Sequence, residues 1–224
     1  MHNFLEASKT ADQIDVAKDG LAAGDVGPLI VLLESFFKSM TTRAAKDVNE
    51  AGLRSILEAF WYTRELPFHS ELRLLVNPSV KTGKGRYGFL DIIIPGSPFS
   101  SCIELKNATL QGLWMGEGGA LLSSNLPLQI LQQKLQSETI DQLLERKVKY
   151  YDHGTLHETS IKAMKEAALS QVNGYLDVTK KGKATSKYAG VDDPRMEASS
   201  HNLIGYVVIC VGATRVLGWV ASQH

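Results

Sequence analysis

Three charged side chains interrupt two apolar segments in the middle of the chain. Asp91 lies within residues 89–94, and Glu104 and Lys106 stand two residues apart within residues 102–106. Both segments are rich in branched or aromatic side chains, and a Pro-Gly turn separates them, so the pattern predicts two neighbouring strands. Because strand side chains alternate between faces, Glu104 and Lys106 are expected on one face, close to Asp91.

A carboxylate buried in a sheet is unfavourable unless a cation or hydrogen-bond donors compensate its charge. A divalent cation would do so, and the hard oxygen ligands Asp91, Glu104 and the backbone carbonyl of Leu105 suit Mg²⁺ or Mn²⁺. Lys106 would then lie beside a metal-bound water or a scissile phosphate. Such an arrangement suits phosphodiester hydrolysis, with Lys106 orienting or activating the attacking water.

The spacing of these residues is similar to that of a known family. Asp91, twelve intervening residues and then Glu104-Leu105-Lys106 resemble the core of the PD-(D/E)XK nuclease superfamily. A Leu- and Phe-rich helix, followed by a second helix that opens at Asn49-Glu50, resembles the branch of nuclease-like domains found behind AAA-ATPase-like modules and in many fungal proteins. The resemblance implies a restriction-endonuclease-like αβββαβ core and a metal-dependent endonuclease activity.

The resemblance also implies auxiliary site residues. Glu50 corresponds to a helix carboxylate that leans toward the metal, with an ordinary solvated first-turn acid as the alternative. Gln171 and Tyr175, one turn apart on the helix after the Glu-x-Lys strand, correspond to auxiliary site residues, with surface polar contacts as the alternative.

Basic and aromatic residues outside this centre suggest contacts to substrate. Lys84 and Arg86 lie in a basic loop and could contact a phosphate backbone. A mixed patch at the end of a predicted helix could contact nucleic acid, or its lysines could simply be solvated at the helix C-terminus. That patch consists of Lys147, Lys149, Tyr150 and Tyr151.

The rest of the chain predicts an α/β fold with a mixed central sheet flanked by helices. Residues 1–24 are expected to be a leader or a loose helix, and residues 25–224 the nuclease-like domain. Within it, residues 107–157 are predicted to be a helical insertion, with a loop after Lys106 and helices over 127–135 and 139–150. A further helix over 158–178 is predicted to pack on the sheet.

Composition limits the remaining possibilities. Lys plus Arg and Asp plus Glu are equal at 24 each, so no global basic field marks a nucleic-acid-binding protein. Cys102 and Cys210 lie in apolar runs and are expected to be buried free thiols, typical of a reducing intracellular compartment, cytoplasm or nucleus. No segment predicts a signal peptide or a membrane span. A homodimer is compatible with the sequence.

The sequence therefore favours a Mg²⁺- or Mn²⁺-dependent nuclease acting on DNA, with RNA as a second substrate. Two alternatives stay open. One is a catalytically silent nuclease-fold module that binds nucleic acid or protein as part of a larger or host-interacting protein. The balanced charge and the long stretch between Arg86 and Asp91 are compatible with such a module. The other is an unrelated α/β protein in which Glu104-Leu105-Lys106 is structural.

Overall fold

The computed structural model describes residues 2–45, 48–81, 85–96, 99–118, 126–152, 155–196 and 202–223. Its helices are α1 (His2–Ala22), α2 (Gly27–Lys38), α3 (Thr42–Ala45), α4 (Glu50–Thr63), α5 (Leu110–Gly116), α6 (Leu126–Ser137), α7 (Ile140–Leu144) and α8 (Ile161–Thr179). Its strands are β1 (His69–Leu75), β2 (Tyr87–Ile94), β3 (Phe99–Ala108), β4 (Lys147–Asp152), β5 (Thr155–Ser160), β6 (Gly190–Val191), β7 (Asn202–Val211) and β8 (Arg215–Gln223).

Six strands form the central sheet in the order β6-β1-β2-β3-β7-β8. The pairs β1–β2, β2–β3 and β7–β8 are antiparallel, whereas β3 and β7 are parallel. The parallel pair requires a crossover, which the segment from α5 to α8 supplies. The predicted α/β class with a mixed central sheet flanked by helices is confirmed.

The sheet is covered on both faces because its strands are apolar on both sides. One hydrophobic cluster joins α1, α2 and α4 to side chains such as Ile103 and Leu105 of β3. A second cluster joins α5, α6 and α8 to the opposite face, including Cys102 of β3. Both cysteines are buried free thiols, as predicted. Within the described ranges, none of the helices combines the length and apolar character that a membrane crossing requires.

The first 24 residues, expected to be a leader or a loose helix, contain a helix that packs on the core. Residues 2–22 form α1, and the side chains of Ile14, Ala17 and Leu21 are buried in the first hydrophobic cluster. The hydroxyl of Tyr206, on the central strand β7, donates a hydrogen bond to the Leu21 carbonyl. The C-terminal half of α1 is thus part of the core, and the boundary proposed at residue 24 does not separate two packing units.

The segment predicted as a helical insertion contains a β-hairpin. The helix predicted over 139–150 is wrong beyond α7, which begins after a capping box formed by Thr139 and Gln142 and ends at Leu144. Residues 147–152 form β4, which pairs with β5 in a separate two-stranded sheet. Alternation decides this outcome, because Val148 is buried between two outward lysines and tyrosine favours strands.

Two further boundaries shift for local reasons. The predicted loop after Lys106 becomes helix α5, because the Thr109 hydroxyl caps the N–H of Gly112. The helix predicted from residue 158 begins at Ile161 instead, where Ser160 accepts a hydrogen bond from the N–H of Ala163. Residues 155–160 belong to β5.

Candidate active site

The regular pairing of β2 breaks at Asp91. Leu90 packs in the cluster on one face of the sheet and Ile92 in the cluster on the other, so the face alternation slips by one residue between them. The pairing with β1 runs through Ser70–Ile92 and Leu72–Leu90, with no pair for Glu71 and Asp91. Glu71 has a left-handed φ of 50°. This local distortion separates Asp91 from its regular strand position.

The distortion turns the Asp91 carboxylate toward β3. The β2–β3 register is described for the pairs from Ile94–Ser101 to Ile92–Ile103. Beyond it, Oδ2 of Asp91 accepts a hydrogen bond of 2.8 Å from the N–H of Leu105. Because the N–H and C=O of a strand residue point to the same side, the Leu105 carbonyl faces the same side as Asp91.

Glu104 and Lys106 lie on the neighbouring strand, as the alternation predicts. Lys106 Nζ is 2.7 Å from Oε1 of Glu104 and 3.5 Å from Oε1 of Glu50, the first residue of α4. Glu104 is only 1% exposed, and its second oxygen, Oε2, has no hydrogen-bond partner among the described residues. Asp91 is 8% exposed. The predicted catalytic residues Glu50, Asp91, Glu104 and Lys106 are therefore brought together.

Burial dominates the protonation of these groups. It raises the pKa of Glu104 to about 7, although the ammonium of Lys106 opposes the shift and Asp91 adds to it. Burial also raises the pKa values of Asp91 and Glu50. For Lys106, burial alone would lower the pKa, but Glu104 and the other two acids outweigh it and keep the pKa above 10.5. Lys106 is thus an ammonium ion at neutral pH.

One member of the site is absent from the sequence-based set. The guanidinium of Arg54, on α4, lies 3.6 Å from Oδ1 of Asp91, 2.8 Å from Glu71 and 3.8 Å from Glu58. Arg54 is four residues after Glu50, so helical periodicity places both on one face of α4. That spacing is the signal that could have identified Arg54 as a positioning residue for Asp91. We use the name acidic cluster for Glu50, Arg54, Asp91, Glu104 and Lys106.

Gln171 and Tyr175 lie next to this cluster on α8. Gln171 Nε2 and the Tyr175 hydroxyl are 3.1 Å apart, and Glu104 acts electrostatically on the Tyr175 hydroxyl. The ring of Tyr175 packs directly on Gly88 of β2, where a Cβ would come within 2.5 Å of the ring. The absence of a side chain at Gly88 therefore allows the Tyr175 ring this position.

Arg86, one of the two predicted phosphate contacts, makes its hydrogen bonds away from this cluster. Arg86 donates from NH1 to the carbonyls of Pro78 (2.9 Å) and Val80 (3.1 Å), so its guanidinium holds the loop before β2. Its predicted role as a substrate contact thus competes with a structural one. Lys84 lies outside the described residues.

A divalent cation fits the donor set that the sequence predicts. Oε2 of Glu104 is buried and unpartnered, and burial raises the pKa values of Glu104 and Asp91, so a further cation nearby would favour their ionised forms. Among the described residues, no three His, Cys, Asp or Glu side chains already form a metal-binding group. The predicted set needs only two, Asp91 and Glu104, with the Leu105 carbonyl as third ligand.

The acidic cluster can therefore bind a hard cation and place one ammonium ion beside it. These are the parts that hydrolysis of a phosphate ester requires, namely carboxylate ligands and a fixed positive charge near the phosphorus centre. Comparison of the chain with protein-family models, with curated proteins and with solved structures finds no match.

Proposed function

We propose that the protein is a metal-dependent nuclease that hydrolyses phosphodiester bonds in DNA, with RNA as a second substrate. The observation that carries the proposal is the buried Glu104 carboxylate, which has an unpartnered oxygen, lies 2.7 Å from the Lys106 ammonium and is repelled by Asp91. A buried acid in this state is unfavourable for the fold alone. A role in binding a cation would explain why a buried acid is present at this position.

The order of the elements supports a restriction-endonuclease-like core. Helix α4 is followed by β1, β2 and β3 as an antiparallel meander, and α8 then leads to β7, which is parallel to β3. This order, with the short strand β6 between α8 and β7, supports the αβββαβ arrangement that the resemblance to the PD-(D/E)XK superfamily implies. The segment from α5 to β5 is an addition between β3 and α8.

Each residue of the cluster has a separate task in this proposal. Asp91, Glu104 and the Leu105 carbonyl would hold Mg²⁺ or Mn²⁺, and the bound ion would supply an activated water and neutralise charge on the phosphate. Lys106, whose Nζ lies 2.7 Å from Glu104, would stabilise the negative charge that develops on the phosphate. Glu50 orients Lys106, and Arg54 orients Asp91. Gln171 and Tyr175 border the site through α8.

A supercoiled-plasmid assay in Mg²⁺ or Mn²⁺ tests the proposal. We expect the wild type to nick the plasmid and Asp91→Ala and Lys106→Ala to lower the rate by about 10²-fold or more, since each removes a charge that acts on the transition state. Lys134→Ala is a matched control, because Lys134 is an exposed lysine paired with Glu117 outside the cluster. Equal cleavage by the wild type and all three variants, or no cleavage by any, contradicts the proposal.

A second function is favoured by one observation, the charge balance of the site. Among the described residues, the two cations Arg54 and Lys106 pair with five carboxylates, so the metal-free site repels phosphate. A catalytically silent module that binds nucleic acid elsewhere on its surface would be compatible with this. Such a module would hold an oligonucleotide equally in Ca²⁺ and Mg²⁺ and never nick it.

A further inference from the structure

A cavity of about 360 Å³ opens directly beside the acidic cluster. Glu50 and Lys106 form its polar end, and the walls come from β3, the β4–β5 hairpin and the first turns of α8. Asn107, Tyr150, Ala163 and Ala167 also line it. This volume is at the lower end of the range for small-molecule sites, about 300–1,000 Å³. The cavity therefore has room for a group of the size of one ring system.

An aromatic side chain presents its surface at the mouth of this cavity. Tyr150 is 46% exposed and is paired in register with His157 of β5. The two rings are stacked, with centroids 5.5 Å apart and an interplanar angle of 23°. Because His157 supports the Tyr150 ring from the neighbouring strand, the ring is held ready for a planar ligand.

Contacts with α5 and the ion pairs of Arg146 hold the β4–β5 hairpin in place. Helix α5 packs against the β4 backbone at Gly116, where a Cβ would come within 2.0 Å of the Lys147 carbonyl oxygen. Arg146, directly before β4, pairs with Glu117 and Glu138. The Tyr150 ring is thus a fixed part of the cavity.

The wall formed by α8 carries small side chains and can accept a flat apolar group. Ala163 and Ala167 are one turn apart on α8, so their short side chains leave space between the helix and the hairpin. Asn107 adds a polar atom, since its Nδ2 donates to the Val48 carbonyl at 2.6 Å. Its Oδ1 is fully buried and has no hydrogen-bond partner among the described residues.

We infer that this cavity binds one unpaired nucleobase of the substrate strand, stacked on Tyr150, next to the phosphate that the acidic cluster holds. The inference rests on the proposed nuclease function and adds the substrate class. A planar ring matches the stacking surface of Tyr150 and the space beside Ala163 and Ala167. Lys106 lies at the same cavity, so a neighbouring phosphate and a bound base would belong to one nucleotide strand.

This site discriminates between paired and unpaired strands. A base in a duplex is stacked on both faces and must leave the helix before it can enter a cavity, which costs free energy. A single-stranded or flapped substrate does not require this free energy, and an aromatic ring can stack on any base. The protein is therefore expected to prefer single strands and unpaired ends over continuous duplex.

Fluorescence of a single-stranded oligonucleotide that carries 2-aminopurine tests the inference with the full chain, in EDTA and in Ca²⁺, where binding is separate from cleavage. We expect stacking to quench the probe. Tyr150→Ala should weaken binding by about 10-fold, and Tyr150→Phe should keep it within about twofold because the ring is retained. Ala167→Leu, which fills the cavity from an exposed helix position, should weaken binding as well.

Tyr151→Ala is the matched control, because Tyr151 is the next residue of β4, is 59% exposed and points to the other face of the hairpin. The inference is overturned if Tyr150→Ala binds like the wild type, if Tyr151→Ala loses as much, or if a continuous duplex binds as tightly as the single strand. Plasmid nicking with unchanged Tyr150→Ala binding would leave the nuclease proposal intact and remove this one. Base binding that needs Tyr150 without any nicking would do the reverse.

Discussion

The acidic cluster and the network around Arg146 are both buried groups of charges, but they are balanced in opposite ways. We use the name Arg146 network for Arg146, Glu117, Glu138 and Lys134, in which two acids meet two bases. Arg146 donates from Nε and NH2 to the two oxygens of Glu138 and from NH1 to Glu117. In the acidic cluster, by contrast, Oε2 of Glu104 has no partner among the described residues.

The pKa shifts follow this difference. The hydrogen bonds from Arg146 lower the pKa of Glu138, whereas burial raises the pKa of Glu104 to about 7. In the Arg146 network, which supports the fold, the bases pair with the acids and favour their ionised form. A group that keeps a buried acid short of positive charge stores an unfavourable interaction, which a bound cation would relieve.

The largest effect should come from breaking the balanced network. Arg146→Met leaves Glu117 and Glu138 without their shared partner, and the side chain of Arg146 is only 8% exposed. We expect a loss of about 3 kcal/mol in the free energy of unfolding, typical of removing one partner of a buried ion pair. Urea unfolding measures this.

Lys134→Met is the matched control in the same network. Lys134 pairs with Glu117 at 3.4 Å but its side chain is 58% exposed, so its removal should cost less than about 0.5 kcal/mol. Equal losses for Arg146→Met and Lys134→Met would show that burial and pairing do not distinguish the two positions, and the comparison would fail.

Replacing an acid by its amide in metal-free buffer should change the free energy of unfolding by a smaller amount. The change should have opposite signs at Glu104 and at Glu138. The pKa of Glu104 is raised, so the wild type loses stability as pH rises from about 4.5 through 7. At pH 8, Glu104→Gln should therefore be more stable than the wild type by about 1–3 kcal/mol. This gap should close toward pH 5.

Glu138→Gln should behave in the reverse way. The pKa of Glu138 is lowered, so its ionised form stabilises the fold above the ordinary value of 4.5, and that stability is lost as pH falls through the lowered pKa. The variant should be less stable than the wild type by about 1 kcal/mol at pH 7, with the gap closing in acid. Parallel pH profiles for the two variants would contradict the assignment of roles.

Much of the acidic cluster was accessible from the sequence because it depends on local pattern. The alternation of Cys102-Ile103-Glu104-Leu105-Lys106 fixes which side chains share a face, and the burial of Ile103 and Leu105 on the opposite face agrees with it. The slip at Asp91 was not accessible. It depends on the left-handed backbone at Glu71, a glutamate for which no sequence rule predicts positive φ.

The hairpin was missed because helical and strand signals overlap in one short segment. The capping box at Thr139 correctly starts a helix, but nothing local marks its end after five residues. Its end is set by tertiary contacts, since Arg146 is held by Glu117 and Glu138 before β4 begins. Arg54 was missed for a related reason, because its partner Asp91 is distant in sequence.

Stabilisation by a divalent cation should also separate the two regions. If Mn²⁺ relieves the charge deficit at Asp91 and Glu104, then Mn²⁺ at ten times its dissociation constant should stabilise the wild type by about 1.4 kcal/mol. For a chain of this size the melting temperature should rise by about 3–5 °C, as differential scanning fluorimetry would show. Glu104→Gln and Asp91→Asn should lose this rise, since each removes a ligand charge, whereas Glu138→Gln should keep it. An equal rise in all four proteins would assign the cation to another surface and leave the buried Glu104 unexplained.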